Sequence, residues 1–239
     1  MSDDLELPDH SGHRQRLRDR AKRAGIDCLP DYELLELFLF RSIPQRDVKP
    51  LAKALIARFG GLAAALSAPF DDLLSVSATD NKGRTLKITP EIGLDLQLMF
   101  EATRRLCAEP LKRTTVINSW ASVIAYLKVT LAYEPREQFR VLFLDKKNQL
   151  IADEIMGKGT VDHAPAYPRE IMRRALELSA SSLILVHNHP TGDPMPSGDD
   201  IAMTKAIIEA GKPLKITIHD HLIVGREGVA SLKQIGAIH

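Results

Sequence analysis

Two histidines end an apolar segment of the sequence and could bind a metal ion. His187 and His189 follow the apolar run 183–186, with one residue between them. In a β-strand this spacing places both imidazoles on the same face. Pro190 follows at once and cannot continue a strand ladder. We therefore expect the pair at the end of a strand, where α/β sheets usually bind their ligands.

A serine and two aspartates at the start of the next predicted helix offer a third ligand. Ser197 is placed to cap that helix, and Asp200, three residues later, lies in its first turn. Two histidines and one carboxylate make a three-ligand zinc site that leaves a fourth position for water. Such a site makes water a nucleophile near neutral pH. From spacing alone, Asp199 competes with Asp200 for the ligand role.

The hydrophobic pattern divides the 239 residues into two parts. Residues 1–108 contain dense amphipathic helical segments and predict an all-α domain. From about residue 115 to residue 239 helices alternate with apolar strands, which predicts an α/β domain. The histidine pair and the aspartates belong to this second domain.

Composition and charge narrow the classes of protein that fit. The formal net charge is +1, so the overall charge predicts no particular partner. No apolar run approaches the length of a membrane span, and we expect no signal peptide because the first residues lack an apolar core. The only cysteines, Cys28 and Cys107, favour a reducing cytoplasm over a disulfide framework. The absence of a Cys-x-x-Cys pair excludes a zinc deaminase.

The segment around the histidines resembles a known family. HNHP at 187–190, followed by SGDD at 197–200, resembles the His-x-His and Ser-x-x-Asp motif of the JAMM (MPN+) metalloproteases. The longer segment 187–207, with DHLIVG at 220–225, is similar to the bacterial RadC-like branch of that family. In the family's spacing ten residues separate the second histidine from the aspartate, so the resemblance assigns the ligand to Asp200.

The resemblance covers about residues 115–235 and implies a zinc-dependent hydrolase of peptide or protein amide bonds. The implied fold is a mixed sheet with flanking helices, similar to that of the cytidine deaminases. The family's general acid/base is a glutamate just before the first strand of the domain, which is the position of Glu137. Ser197 would polarise the scissile carbonyl or hold the oxyanion. The other candidates for the acid/base are Glu154, Glu170 and, more weakly, Glu134.

A second His-x-His doublet follows further along the chain. His219 and His221, on either side of Asp220, lack the downstream proline and the capped aspartate. The resemblance implies that this doublet belongs to the fold and does not bind zinc. A buried Asp220 could orient a ligand histidine through its second ring nitrogen.

The N-terminal part suggests an alternative function. The segment 13–23 is basic, and we expect either a solvated helix face or a nucleic-acid contact. The region resembles a degenerate helix-hairpin-helix, in which only Gly83 remains near the expected turn. The alternative is therefore a DNA-associated accessory protein whose metal domain is a scaffold. Neutralising the charges of three basic residues would then weaken DNA binding. They are Arg14, Arg16 and Arg18.

Overall fold

The computed structural model describes residues 12–113, 115–116, 119–159 and 166–238. The chain divides into two compact units, Met1–Glu101 and Ala102–His239. No helix in the described ranges is both long and apolar enough to cross a membrane.

The N-terminal unit consists mainly of short helices packed around leucines. Its buried side chains include Leu35, Leu39, Leu51 and Leu55, all almost inaccessible to solvent. The elements are α1 (His13–Ala24), α2 (Asp31–Ser42), α3 (Lys49–Phe59), α4 (Leu62–Ser67), α5 (Phe70–Leu74), β1 (Ser77–Thr79), β2 (Thr85–Lys87) and the first part of α6 (Pro90–Arg113).

A small β-hairpin interrupts this helical unit. β1 pairs with β2 in antiparallel register, Ser77 opposite Lys87. The Asp80 carboxylate closes the turn by accepting the backbone N–H groups of Lys82 (3.0 Å) and Arg84 (2.8 Å). The prediction of an all-α domain did not include this hairpin. Gly83, with φ of +74°, lies in a β-turn, so the turn between two helices expected there is absent.

Arg14 of the basic helix α1 makes several contacts with α2 and the loop after it. The Arg14 guanidinium lies 4.3 Å from the centre of the Phe40 ring and donates hydrogen bonds to the carbonyls of Phe40, Ile43 and Arg46. Arg14 therefore satisfies carbonyl oxygens at the end of α2 and in the loop that follows it. A variant that neutralises Arg14 would disturb the packing of α1 as well as its charge.

The C-terminal unit is built on a five-stranded mixed sheet of order β4-β3-β5-β6-β7. β5 and β6 are parallel, and the other neighbouring pairs are antiparallel. The mixed sheet confirms the predicted fold class. After α6 the elements are α7 (Trp120–Leu131), β3 (Gln138–Leu144), β4 (Leu150–Lys158), α8 (Pro168–Glu177), β5 (Ser182–Asn188), α9 (Gly198–Gly211), β6 (Thr217–Val224) and β7 (Val229–Ser231).

Helices cover both faces of this sheet, and strand alternation distributes the side chains between them. In β3, Phe139 and Val141 join the core formed with α8 and α9, whereas Leu142 and Leu144 join the core formed with α7. The central strand β5 is buried along its whole length. A strand covered on both faces needs apolar residues throughout, which accounts for the uninterrupted apolar run 183–186.

The predicted domain limits, 1–108 and 115–239, remain a prediction. Helix α6 runs from Pro90 through Pro110 to Arg113, across the first of these limits. Part of the expected linker, at residues 114, 117 and 118, lies outside the described residues.

Candidate metal centre

The two motif histidines lie at the carboxyl end of β5, on the face covered by α8 and α9. His187 is fully buried, opposite Phe139 of β3. His189 follows the strand and is still held to the sheet, because its N–H donates to the carbonyl of Val224 (3.0 Å). The two imidazole centroids are 4.9 Å apart. The predicted i, i+2 geometry is therefore confirmed.

The loop after the histidines packs against the β6–β7 turn. Arg226 donates hydrogen bonds to the carbonyls of Pro190 (3.1 Å) and Thr191 (2.8 Å). Gly192 has φ of +105°, which favours glycine. A Cβ atom at Gly225 would lie 2.0 Å from the Gly192 carbonyl oxygen, so the backbones approach too closely for any side chain there. This contact fixes the path from the histidines to α9.

Helix α9 begins with a capping box that uses the motif serine and aspartate. The Ser197 hydroxyl accepts the N–H of Asp200 (3.1 Å), and both the N–H and the hydroxyl of Ser197 donate to Asp200 Oδ2 (2.7 Å each). The predicted cap is confirmed. The second carboxylate oxygen, Oδ1, is directed toward His187. Ser197 is exposed, and its role toward a substrate carbonyl stays a prediction.

Three side chains meet in one cluster that could hold a metal ion: His187, His189 and Asp200. The two Nε2 atoms are 3.0 Å apart. Asp200 Oδ1 lies 3.2 Å from Nε2 of His187, and Oδ2 lies 3.6 Å from Nε2 of His189. Ligand atoms at zinc distances in a tetrahedral site are about 3.3 Å from one another. The donor set and its spacing therefore fit zinc. Asp199 is exposed in the first turn of α9 and is not one of the three.

The electrostatics of the cluster keep the Asp200 carboxylate charged. Burial raises the pKa of Asp200, but hydrogen bonds from His187 and His189 outweigh this effect and hold that pKa far below its usual value. The hydrogen bond to Asp200 raises the pKa of His189 against the opposing effect of burial. The carboxylate is therefore ionised near neutral pH, the form in which it binds a metal.

The second ring nitrogens of both histidines have partners. His189 Nδ1 lies 2.9 Å from the Asp193 carbonyl oxygen, which can only accept, so this nitrogen carries a proton; in the neutral ring the lone pair is then on Nε2. His187 Nδ1 lies 2.8 Å from Nε2 of His221. Histidine ligands of metals usually have such a partner on the other nitrogen.

The second His-x-His doublet contributes differently from the expectation. Asp220 accepts hydrogen bonds from the Ser231 hydroxyl (2.5 Å) and from the N–H groups of His221 and Lys233, so it fixes the backbone around β6 and β7. The expectation that Asp220 orients a ligand histidine is wrong. The buried His221 contacts His187 instead, and burial, with the nearby His187, lowers the pKa of His221 well below its usual value. The one sequence feature that points to His221 is that it is a polar residue within the largely apolar strand β6.

Glu137 lies beside the cluster by its register position. It is buried and comes directly before β3, where Phe139 pairs with His187. One further pair in the same antiparallel register places Glu137 opposite His189, on the same face of the sheet. Its negative charge also contributes to the raised pKa of His189, after the larger effect of the Asp200 hydrogen bond.

Asn188, between the two histidines, holds the segment that carries Glu137. Its Oδ1 accepts the N–H of Gln138 (2.9 Å), and its Nδ2 donates to the carbonyls of Glu134 (3.3 Å) and Arg136 (3.2 Å). These three bonds join the backbone on both sides of Glu137. Asn188, the middle residue of the motif, thus joins β5 to the start of β3, a contact that the His-x-His spacing does not predict.

The other three glutamates have partners of their own. Glu154 forms a double hydrogen bond with Arg174 (2.8 and 2.6 Å), which lowers the pKa of Glu154. Glu170 pairs with Arg173 (3.0 Å) on the exposed side of α8. Burial raises the pKa of Glu134, whose carboxylate accepts a hydrogen bond from the Gln138 side chain.

The fold and the cluster define a class: a mixed-sheet α/β domain with two histidines at the end of a central strand and a carboxylate at the start of the next helix. The family model described as the RadC-like JAB domain matches residues 117–237. The chain belongs to this family, so the resemblance seen in HNHP and SGDD is confirmed.

Proposed function

We propose that the C-terminal unit is a zinc-dependent hydrolase that cleaves a peptide or another amide bond. The observation that carries this proposal is the cluster of His187, His189 and Asp200, with donor atoms 3.0–3.6 Å apart. A half-buried, ionised carboxylate between two imidazoles carries a negative charge that a divalent cation would balance. Membership of the RadC-like JAB family supports the same class of chemistry.

A zinc ion at this cluster would lower the pKa of water and polarise a carbonyl group. Glu137 then acts as the proton carrier: its carboxylate accepts a proton from the attacking water and delivers it to the leaving amine. The three hydrogen bonds of Asn188 to the neighbouring backbone support this role, because a proton carrier must be held at a fixed position.

Ser197 supplies the remaining polar group. Its exposed hydroxyl lies next to the cluster because it donates to Asp200 Oδ2 (2.7 Å). If Asp200 held a metal ion, the Ser197 hydroxyl would be free to donate to a substrate carbonyl oxygen in place of the carboxylate. The fixed backbone of the helix start keeps it at that position.

A screen of peptides with the full chain tests the proposal, with zinc and with a chelator. We expect hydrolysis that requires zinc. Glu137→Gln should retain zinc and lose at least about 100-fold in rate, the usual contribution of a general acid/base. Glu170→Gln is the matched control, because Glu170 is exposed and paired on α8, and it should keep wild-type activity.

Full activity of Glu137→Gln would refute its role. Hydrolysis that persists unchanged after complete removal of metal would refute the metal-dependent mechanism. If Glu170→Gln were inactive, the proton transfer would be assigned to Glu170 of α8 instead.

A further inference from the structure

Two buried residues connect the candidate ligands behind the cluster. Thr204 lies in α9 and His221 in β6, and both are fully buried. Thr204 Oγ1 is 2.6 Å from the carbonyl oxygen of Asp200 and 2.5 Å from Nδ1 of His221. Nε2 of His221 is 2.8 Å from Nδ1 of His187. The contacts form a continuous chain from the backbone of one candidate ligand to the ring of another.

The position of the hydroxyl proton sets the direction of this chain. The Asp200 carbonyl oxygen can only accept, so Thr204 must donate its single hydroxyl proton to it. Because this proton is used in the bond to Asp200, Thr204 Oγ1 can only accept from His221. His221 therefore carries its proton on Nδ1. The unprotonated Nε2 of His221 then accepts the Nδ1 proton of His187.

The opposite direction is disfavoured by one contact. If Thr204 donated to His221, its oxygen would face the Asp200 carbonyl oxygen at 2.6 Å with no proton between them. Two oxygens at that distance without a shared proton repel each other, because both carry partial negative charge. The reversed direction would also place a proton on Nε2 of His187, where it would donate to Asp200 and take up the lone pair that a metal ion needs.

We propose that Thr204 and His221 are positioning residues that fix His187 as the Nδ1–H tautomer and keep its Nε2 lone pair directed into the cluster. This inference rests on the proposed metal site, because the lone pair matters only if Nε2 binds an ion. These hydrogen bonds also link two elements of the fold. They join the first turns of α9 to β6, behind the carboxyl end of β5.

Nitrogen NMR of the ¹⁵N-labelled full chain tests the direction directly. We expect neutral His221 with its proton on Nδ1, in both the metal-free and the zinc-loaded chain. Its signals are identified by their loss in His221→Gln. A proton on Nε2 of His221, or on both ring nitrogens, would overturn the inference, because Nε2 could then not accept from His187.

Two variants of Thr204 distinguish the effect of its hydroxyl group from the effect of its side-chain volume. Thr204→Ser keeps the hydroxyl and should keep the His221 tautomer. Thr204→Val has nearly the same size but no acceptor, so we expect His221 to shift toward the Nε2–H form. An unchanged tautomer in Thr204→Val would show that the threonine does not set it.

Zinc affinity gives a second readout that does not depend on hydrolysis. His221→Leu removes the acceptor for His187, and we expect the zinc Kd to rise by about 10- to 100-fold. His221→Gln retains a side-chain oxygen that can accept, so its Kd should lie closer to that of the wild type. A wild-type Kd in His221→Leu would contradict the inference. A chain that binds zinc but cleaves no peptide contradicts only the proposed function.

Discussion

Replacing Asp200 should remove two contributions to stability that can be measured separately. The carboxylate closes the capping box of α9 and also faces both histidines of the cluster. Loss of a helix cap costs about 1 kcal/mol. In the metal-free chain we therefore expect Ser197→Ala to lower the free energy of unfolding by about 1 kcal/mol, and Asp200→Ala to lower it by more, because the contacts with the two histidines are also lost.

Zinc should raise the free energy of unfolding of the two variants by different amounts. At a zinc concentration of about 100 times the wild-type Kd, binding adds about 2.7 kcal/mol to the free energy of unfolding. Ser197→Ala keeps all three donor side chains and should gain nearly the same amount. Asp200→Ala should gain little, so its deficit relative to wild type grows by about 2.7 kcal/mol.

Urea unfolding followed by tryptophan fluorescence is a suitable assay. Trp120 is the only tryptophan of the chain and packs in the core formed by α7 and the sheet, so it reports on the C-terminal unit. An Asp200→Ala chain that zinc stabilises as strongly as wild type would refute the assignment of Asp200 as a ligand. If zinc did not stabilise Ser197→Ala, the three donor side chains would not suffice for binding, and the helix cap would be needed to position Asp200.

Three further predictions follow from particular contacts. Gly225→Ala should destabilise the C-terminal unit and weaken zinc binding, because its Cβ would overlap a carbonyl oxygen; Gly228→Ala, with 4.0 Å of clearance, is the control, and equal melting temperatures of the two would contradict the steric argument. Burial raises the pKa of Asp80, but hydrogen bonds from Arg84 and Lys82 together outweigh this effect and lower that pKa to about 2. Because this folded-state pKa lies below the unfolded value, the carboxylate stabilises the fold above about pH 4 and ceases to do so as the pH falls through about 2. Asp80→Asn should therefore be less stable than wild type at pH 6, with a difference that narrows toward pH 2 in urea titrations; a constant difference would exclude an ionic origin. If the alternative of DNA binding through α1 is correct, replacing the exposed Arg16 and Lys22 with glutamine should lower DNA affinity and reduce its salt dependence, whereas a wild-type chain without DNA binding at low salt eliminates that alternative.

Local spacing was sufficient to predict most of the cluster. The i, i+2 histidines, the proline that ends the strand and the Ser-x-x-Asp cap each depend on a few neighbouring residues, and the structure has them as expected. The choice of Asp200 over Asp199 needed the family resemblance. The geometry agrees with that choice, because the third residue of a capped helix points back at the cap and the first turn places its neighbour outward.

Contacts between distant segments could not be predicted in this way. His221 contacts His187 across 34 positions of sequence, and Asn188 bonds to backbone more than 50 positions away. Both depend on which strands become neighbours, and no local pattern contains that information. The β1–β2 hairpin was missed for another reason: each strand has only three residues, too few to show a period of two.

The metal content of the purified full chain tests the central claim most directly. After loading with zinc and removal of loosely bound metal, we predict about one zinc ion per chain in the wild type and almost none in His189→Ala. His219→Ala is the matched control, because His219 bonds to Asn148 and belongs to the second doublet, and it should retain the ion. A wild-type chain without bound zinc, or a His189→Ala chain that keeps it, would contradict the account.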